Sequence, residues 1–134
     1  MKDCIFCQVP KGEAPSWKVY ENEYSYAFLN INSVSRYHTL VVPKVHFVNI
    51  FDADQVIVKE VMSTVQHVCK LYQTKLGIKD IQIITNAGAA AQQTVFHWHV
   101  HIVPRTEGDD LDIQWTTFPE WRSEFDAMLE KLAV

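Results

Sequence analysis

Apolar and aromatic residues alternate with polar ones on either side of Asn22-Glu23, so Trp17–Glu21 and Tyr24–Leu29 are predicted to pair as a β-hairpin. Thr39-Leu40-Val41-Val42 reads as a short strand that Pro43 stops. The period then changes. Ile57, Val61, Val65, Val68, Tyr72 and Leu76 recur at helical spacing, with Asp52 and Gln55 as a capping box before them and Gly77 as the stop. Ile81–Thr85 returns to a strand pattern, Asn86–Ala91 reads as a loop, and Thr94–Val103 is a β-rich run that Pro104 ends. A last amphipathic helix is predicted over Pro119–Leu132, with Pro119 in its first turn. Strands interrupted by one long helix predict an α+β fold, a sheet with helices on one face.

Composition narrows the function. The 134 residues contain no internal repeat, low-complexity tract or linker, and 48% of them are hydrophobic, which predicts one continuous packed domain. The formal net charge is -4 and no Lys/Arg stripe interrupts it, which argues against a nucleic-acid partner but leaves room for a small anionic ligand. No apolar run near Met1 is long enough for a signal peptide or membrane span, so no membrane association and a cytoplasmic location are expected. Three cysteines do not make a secreted disulfide framework. Cys4-x-x-Cys7 instead suggests metal ligation or thiol chemistry, while Cys69 and His67 fall in the long helix as a small core residue and a surface residue.

The chemistry concentrates in His97-Trp98-His99-Val100-His101. On a strand these three histidines share one face, roughly 7 Å apart, while Trp98, Val100 and Ile102 anchor the other face in a core. Imidazoles ligate metals, move protons or attack phosphorus. A nucleophilic histidine must be neutral at the attacking nitrogen, with its other nitrogen donating a hydrogen bond that fixes the tautomer. Neighbouring imidazoles disfavour several charges at once and hold such a ring neutral.

The run His97-x-His99-x-His101-Ile102-Val103, with Gln93-Thr94-Val95-Phe96 before it and Pro104-Arg105 after it, resembles the signature of the histidine triad (HIT) family of nucleotide hydrolases and transferases, in its bacterial Hint-like branch. Cys4-Ile5-Phe6-Cys7, Ala27-Phe28-Leu29-Asn30-Ile31 and His38-Thr39-Leu40-Val41-Val42-Pro43-Lys44-x-His46 also fall in family order, so the resemblance covers the chain to about Arg105. It implies a HIT-like antiparallel sheet with one long helix and a C-terminal helix, a single HIT domain over residues 1–134, and a homodimer.

The resemblance also implies roles. His99 would be the nucleophile that forms a nucleotidyl-histidine intermediate, His101 its phosphate-side support, and His38 a further member of the polar network. Asn30 matches the ribose-binding position; Ile5, Phe6, Val9, Phe28, Leu29, Ile31 and Leu40 match the base pocket; Asn86, Gln93 and Thr94 match phosphate-side positions. A purine nucleotide, as a phosphoramidate or dinucleoside polyphosphate, is the implied substrate. Three positions depart from the family pattern. Gln92 and Tyr37 stand where glycines are common, which is expected to cost the phosphate loop a positive-φ option and to narrow the entrance, and Asn30 replaces the Asp of the Hint-like branch.

Cys4, Cys7, His46 and His97 supply a Cys₂His₂ set suited to zinc, in a spacing unlike a zinc finger but resembling bacterial HIT proteins and galactose-1-phosphate uridylyltransferases with a structural zinc. His97 would then be shared between triad and metal. A redox C-x-x-C belongs after a strand at a helix start, and no strand precedes Cys4. The rival functional reading is a zinc-stabilised nucleotide-binding or interaction protein without significant catalysis. Trp115, Trp121 and the last helix are read only as packing or dimer-rim candidates.

Overall fold

A computed structural model describes residues 3–133; Met1, Lys2 and Val134 of the expected 1–134 domain lie outside the described residues. One helical turn, α1 (Ile5–Gln8), precedes three strands, β1 (Lys18–Glu21), β2 (Ser25–Leu29) and β3 (Thr39–Pro43). The long helix α2 (Gln55–Leu76) follows, then β4 (Asp80–Ile84), β5 (Val100–Arg105) and a short helix α3 (Phe125–Glu130). The strands form one antiparallel sheet in the order β1-β2-β3-β5-β4. The α+β expectation and the antiparallel sheet are both present.

Local chemistry explains the element ends. The hairpin turns at Asn22, whose side-chain oxygen accepts from the backbone N–H groups of Tyr24 and Ser25, an Asx turn. The long helix begins two residues later than the capping box predicts. Asp54 is its N-cap and accepts from the Val56 N–H, whereas the Asp52 carboxylate is occupied by the N–H groups of Val48 and Asn49 in the preceding loop. Gly77 ends the helix at φ 68°, with its N–H on the Gln73 carbonyl and the Ile78 N–H on the Tyr72 carbonyl, a left-handed closure that favours glycine.

Each face of the sheet has its own core. Val61, Val65, Val68 and Tyr72 of α2 pack on Ala27, Val41, Val100, Ile102 and the indole of Trp98. Thr64 sits on the same buried helix face, where its hydroxyl meets Ser25 Oγ at 2.6 Å and accepts from Asn22 Nδ2 at 3.1 Å, so its polarity is satisfied. On the opposite face Phe6 and Val9 from α1 and its exit cover Tyr26, Phe28, Leu40 and Val42. The register places His101 beside Leu40, on this second face. The site is therefore built on the face away from the long helix.

Two sequence expectations are corrected. The strand carrying the histidine run starts at Val100, not Thr94, and passes through Pro104 to Arg105. Pro104 is tolerated because β3 stops pairing with β5 at Ile102, leaving a proline opposite Ile81 of β4 alone. Upstream of Val100 the backbone is held by irregular bonds instead of a ladder, including the Trp98 N–H to the Phe47 carbonyl at 2.7 Å. At the other end, the helix predicted over Pro119–Leu132 is a 3₁₀ segment, Pro119–Glu124, followed by the short α3. Its residues do not pack into the core: Trp115, Trp121, Phe125, Leu129 and Leu132 are exposed.

Candidate active site and metal cluster

His97, His99 and His101 do not form one even wall. Only His101 lies in the strand, and the irregular approach turns His97 away from its neighbours into the protein. The ring of His97 is fully buried and fixed at both nitrogens. Its Nε2 lies 2.9 Å from the Pro43 carbonyl oxygen, which can only accept, so Nε2 carries the proton and Nδ1 presents a lone pair. That lone pair faces Cys4 Sγ at 3.4 Å, Cys7 Sγ at 3.4 Å and His46 Nδ1 at 3.1 Å, and Cys7 Sγ lies 3.3 Å from His46 Nδ1.

The four ligand atoms lie within 4.8 Å of one another, a donor set that can hold a metal ion. Bonds of about 2.0–2.1 Å to nitrogen and about 2.3 Å to sulfur give a tetrahedron whose nitrogen–sulfur edges are about 3.5 Å and nitrogen–nitrogen edge about 3.3 Å. The observed separations fall close to those edges. Burial, with the neighbouring Cys4, pushes the Cys7 thiol above its ordinary pKa of 9.0, a cost that a cation at the centre would reverse.

His99 is oriented by the same residue. Its Nδ1 lies 2.7 Å from the His97 main-chain oxygen, so Nδ1 carries the proton and Nε2 is the free lone pair. Burial lowers the His99 pKa from its ordinary 6.5, partly offset by that carbonyl bond, and favours the neutral ring. Phe6 stands edge-on to His99 with centroids 5.0 Å apart, and His101 lies 5.1 Å away.

On the other side of His99 a relay fixes two more tautomers. The Val34 backbone N–H donates to His38 Nδ1 at 3.1 Å, which makes that nitrogen an acceptor and puts the proton on Nε2. His38 Nε2–H then donates to His101 Nδ1 at 2.9 Å, leaving His101 with an N–H at Nε2. Burial drives the His101 pKa down to about 4, helped by charge on His99 and His38, and burial also lowers that of His38. Asn30 Nδ2 is 3.4 Å from His38 Nε2; with a proton already there, this is a contact and not a bond. Asn30 instead accepts the Asn32 N–H and donates its backbone N–H to the His38 carbonyl, which steadies the loop carrying His38.

The remaining sequence-predicted residues divide. Phe6, Val9, Phe28 and Leu40 come together in the apolar cluster beneath the histidines. Ile31 is 78% exposed, Leu29 faces the α2 side next to Thr39, and Ile5 lines a separate hollow with His46, Thr94 and Phe96. Asn86 lines the open cleft that also contains His38, His101 and Gln92. Gln93 is corrected: its amide is buried and fully engaged. Nε2 donates to the Val48 and Val95 carbonyls, and Oε1 accepts from the Gly88 N–H and Asn49 Nδ2, so the side chain shapes the loop and has no group left for phosphate.

Thr85 is a supporting residue that the sequence reading passed over as a strand end. Its hydroxyl donates to the His99 carbonyl at 2.8 Å and accepts the Trp98 indole N–H at 3.0 Å, tying the backbone of the histidine run to the end of β4. A hydroxyl does both from a single atom, but nothing in the local sequence announces the pairing.

Gln92 and Tyr37 occupy positive φ, at 71° and 65°. The positive-φ option expected to be lost at Gln92 is therefore retained, at the strain a non-glycine residue carries there.

A sheet whose face carries His99 with a free Nε2, His38 and His101 on an open cleft, and a Cys₂His₂ cluster behind them defines a histidine-triad protein. The comparisons agree. A family model described as HIT domain matches residues 11–108, and the chain belongs to the HIT family. It is 37% identical over 117 residues to Protein hit of Bacillus subtilis (strain 168), covering 87% of this chain and 81% of that one. It is 35% identical over 109 residues to Adenylylsulfatase HINT3 of Arabidopsis thaliana, covering 81% of this chain but 55% of the plant protein. Among solved structures, a zinc-bound histidine triad family protein from Mycobacterium smegmatis superposes with a TM-score of 0.78 at 33% identity, over 98% of this chain and 99% of that one. No helix among the described residues is long and apolar enough to cross a membrane.

Proposed function

We propose that this protein is a nucleotide hydrolase or nucleotidyl transferase that cleaves a nucleoside phosphoramidate or dinucleoside polyphosphate through His99. The observation that carries the reading is the fixed tautomer of His99, protonated at Nδ1 by its bond to the His97 carbonyl and bare at Nε2. In the proposed step, Nε2 attacks the α-phosphorus, an N–P bond forms, and the bond to the leaving group breaks with its electron pair. A leaving amine takes a proton from solvent, whereas a leaving nucleotide departs as its phosphate anion. Water then attacks the phosphorus and loses a proton to solvent, the N–P bond returns its pair to Nε2, and a nucleoside monophosphate departs. The His101 Nε2–H, set by the relay from Val34 through His38, is the donor for a phosphoryl oxygen during both transfers.

Phe6, Val9, Phe28 and Leu40 supply an apolar surface for a base, with purine as the preferred one; Asn30 lies where ribose hydroxyls would meet the His38 loop. The name of the plant relative, an adenylylsulfatase, supports a reaction at an adenylyl phosphorus. Cys4, Cys7, His46 and His97 are proposed to hold a structural zinc, whose chemistry is to fix a tetrahedral donor set. The reading includes a homodimer as the working state.

Incubation with an adenosine phosphoramidate tests it. The wild type should release AMP and show a nucleotidyl adduct on acid quenching, and His99→Ala should lose at least about 10³-fold in turnover. Equal inertness of wild type and His99→Ala across phosphoramidates and dinucleoside polyphosphates would leave only a binding protein.

A further inference from the structure

The Cys4–Cys7 turn belongs to two sites at once. Both cysteines direct their sulfurs at His97 Nδ1, each at 3.4 Å, while the ring of Phe6 between them packs on the sheet face, edge-on to the His97 ring at 6.2 Å. Its ring meets Phe28 at a centroid distance of 5.7 Å and His99 at 5.0 Å, edge-on in both cases. Phe6 is 9% exposed, so it forms part of the wall beneath the histidines. The element that carries it has little stability of its own. A four-residue helix lies far below the length at which helices persist, and Cys4 offers no side-chain cap. What holds α1 in place is the packing of Phe6 and Val9 and the convergence of Cys4 and Cys7 on His46 and His97.

A second link runs through His97. Its Nδ1 is in the ligand cluster, its Nε2–H is on the Pro43 carbonyl, and its own carbonyl accepts the His99 Nδ1–H at 2.7 Å. Fixing the four ligands therefore fixes both the apolar wall, through Phe6, and the imidazole above it, through the His97 backbone.

We propose that the Cys4–Cys7 turn is a metal-tightened wall of the nucleotide pocket, so that metal binding and nucleotide binding strengthen each other through Phe6. This rests on the nucleotide and zinc readings above and adds an energetic connection between them. Thermodynamic linkage makes the effect reciprocal: the factor by which metal raises nucleotide affinity is the factor by which nucleotide raises metal affinity. The expected factor is about tenfold, within the usual range for two sites joined by one small element.

The test uses AMP, zinc and cobalt(II) with the full chain. AMP affinity is measured calorimetrically on zinc-loaded and chelator-stripped protein, and zinc affinity by competition with a chromophoric chelator, with and without saturating AMP at fixed free zinc. Both factors should be about tenfold and equal. In the cobalt-loaded protein, whose thiolate and d–d absorptions report the ligand set, AMP should shift the d–d bands. Phe6→Ala, or Phe6→Leu should the smaller residue fail to fold, should keep the cobalt–thiolate spectrum but lose the AMP-induced shift and the affinity coupling.

Equal AMP affinity with and without metal, together with unchanged metal affinity, overturns the coupling while leaving the nucleotide reading intact. AMP binding to neither form overturns both. Should stripping unfold the chain, the cobalt spectra decide alone, read at AMP concentrations that calorimetry shows to saturate each protein: an AMP-induced shift that persists in the Phe6 variant overturns the role of Phe6, and its disappearance with AMP bound supports it.

Discussion

Two pairs of imidazoles flank His99, and the same ring is put to opposite uses in them. His97 turns its Nδ1 lone pair toward two cysteine sulfurs and His46 Nδ1, with its second nitrogen pinned by a backbone carbonyl. His38 and His101 instead form a line of donated hydrogen bonds, from the Val34 N–H to His38 Nδ1 and from His38 Nε2–H to His101 Nδ1, which leaves an N–H at His101 Nε2. What separates them is the first backbone partner. A carbonyl at Nε2 of His97 makes Nδ1 an acceptor, fit for a cation; an N–H at Nδ1 of His38 makes Nε2 a donor, fit for an anion. Residue type alone does not choose between the two, and loop geometry does.

The comparison breaks most visibly under paired substitutions. Cys7→Ser removes a soft ligand from a buried set and is expected to lower metal content and cost about 3 kcal/mol, a fall in Tm of roughly 10 °C. His38→Phe leaves the metal cluster untouched but removes the relay donor, so metal content should hold while turnover falls about 10²-fold. Metal analysis, thermal melts and AMP release on both variants check this. Loss of metal in His38→Phe would mean that the two sides are not separable.

Acid acts on the relay side through His101. In the folded protein burial, aided by charge on His99 and His38, lowers its pKa from 6.5 to about 4. Between those values the unfolded chain binds the proton first, so the native state loses stability as pH falls through that window. Above pH 6.5 the contribution is fully present. An NMR titration should place the His101 midpoint near 4, and the urea midpoint of the wild type should fall more steeply with acid than that of His101→Gln. A His101 midpoint at 6.5 would remove the buried neutral ring from the relay.

The same contrast explains how much of this was legible in the residues. The long helix could be read because Val61, Val65, Val68 and Tyr72 keep a helical period against one apolar face. The Cys4, Cys7, His46 and His97 cluster could be read because cysteine and histidine together have few other uses, although sequence alone could not show that the Pro43 carbonyl leaves His97 Nδ1 facing the sulfurs. The run Thr94–His99 reads as strand by composition, but its backbone bonds go to Phe47, and the Gln93 amide fixes the loop before it through Val48 and Val95. Long-range partners of that kind leave no periodic trace. The exposed C-terminal segment failed for the opposite reason: its helical pattern is real, but amphipathicity does not say which surface the apolar side will meet.

The smallest predicted effect lies at two of the left-handed non-glycine residues, one before each flanking group. Gln92 at φ 71° precedes the loop that leads to His97, and Tyr37 at φ 65° precedes His38. A non-glycine residue there carries roughly 1–2 kcal/mol of strain, against about 0.5–1 kcal/mol that glycine costs by loosening the unfolded chain. The exposed Gln92 side chain offers little to offset that strain, so Gln92→Gly should stabilise the protein by about 0.5 kcal/mol. Tyr37 differs because its ring packs on Tyr72 at 5.5 Å, beside the bond between the Tyr72 and Thr39 hydroxyls. Tyr37→Gly relieves the same strain but gives up that ring contact, which is worth about 0.5–1.5 kcal/mol, so it should be neutral or destabilising. Urea unfolding of the two variants side by side measures the difference. Equal stabilisation by both would show that the Tyr37 ring adds nothing and that backbone strain alone sets the balance on the relay side as well.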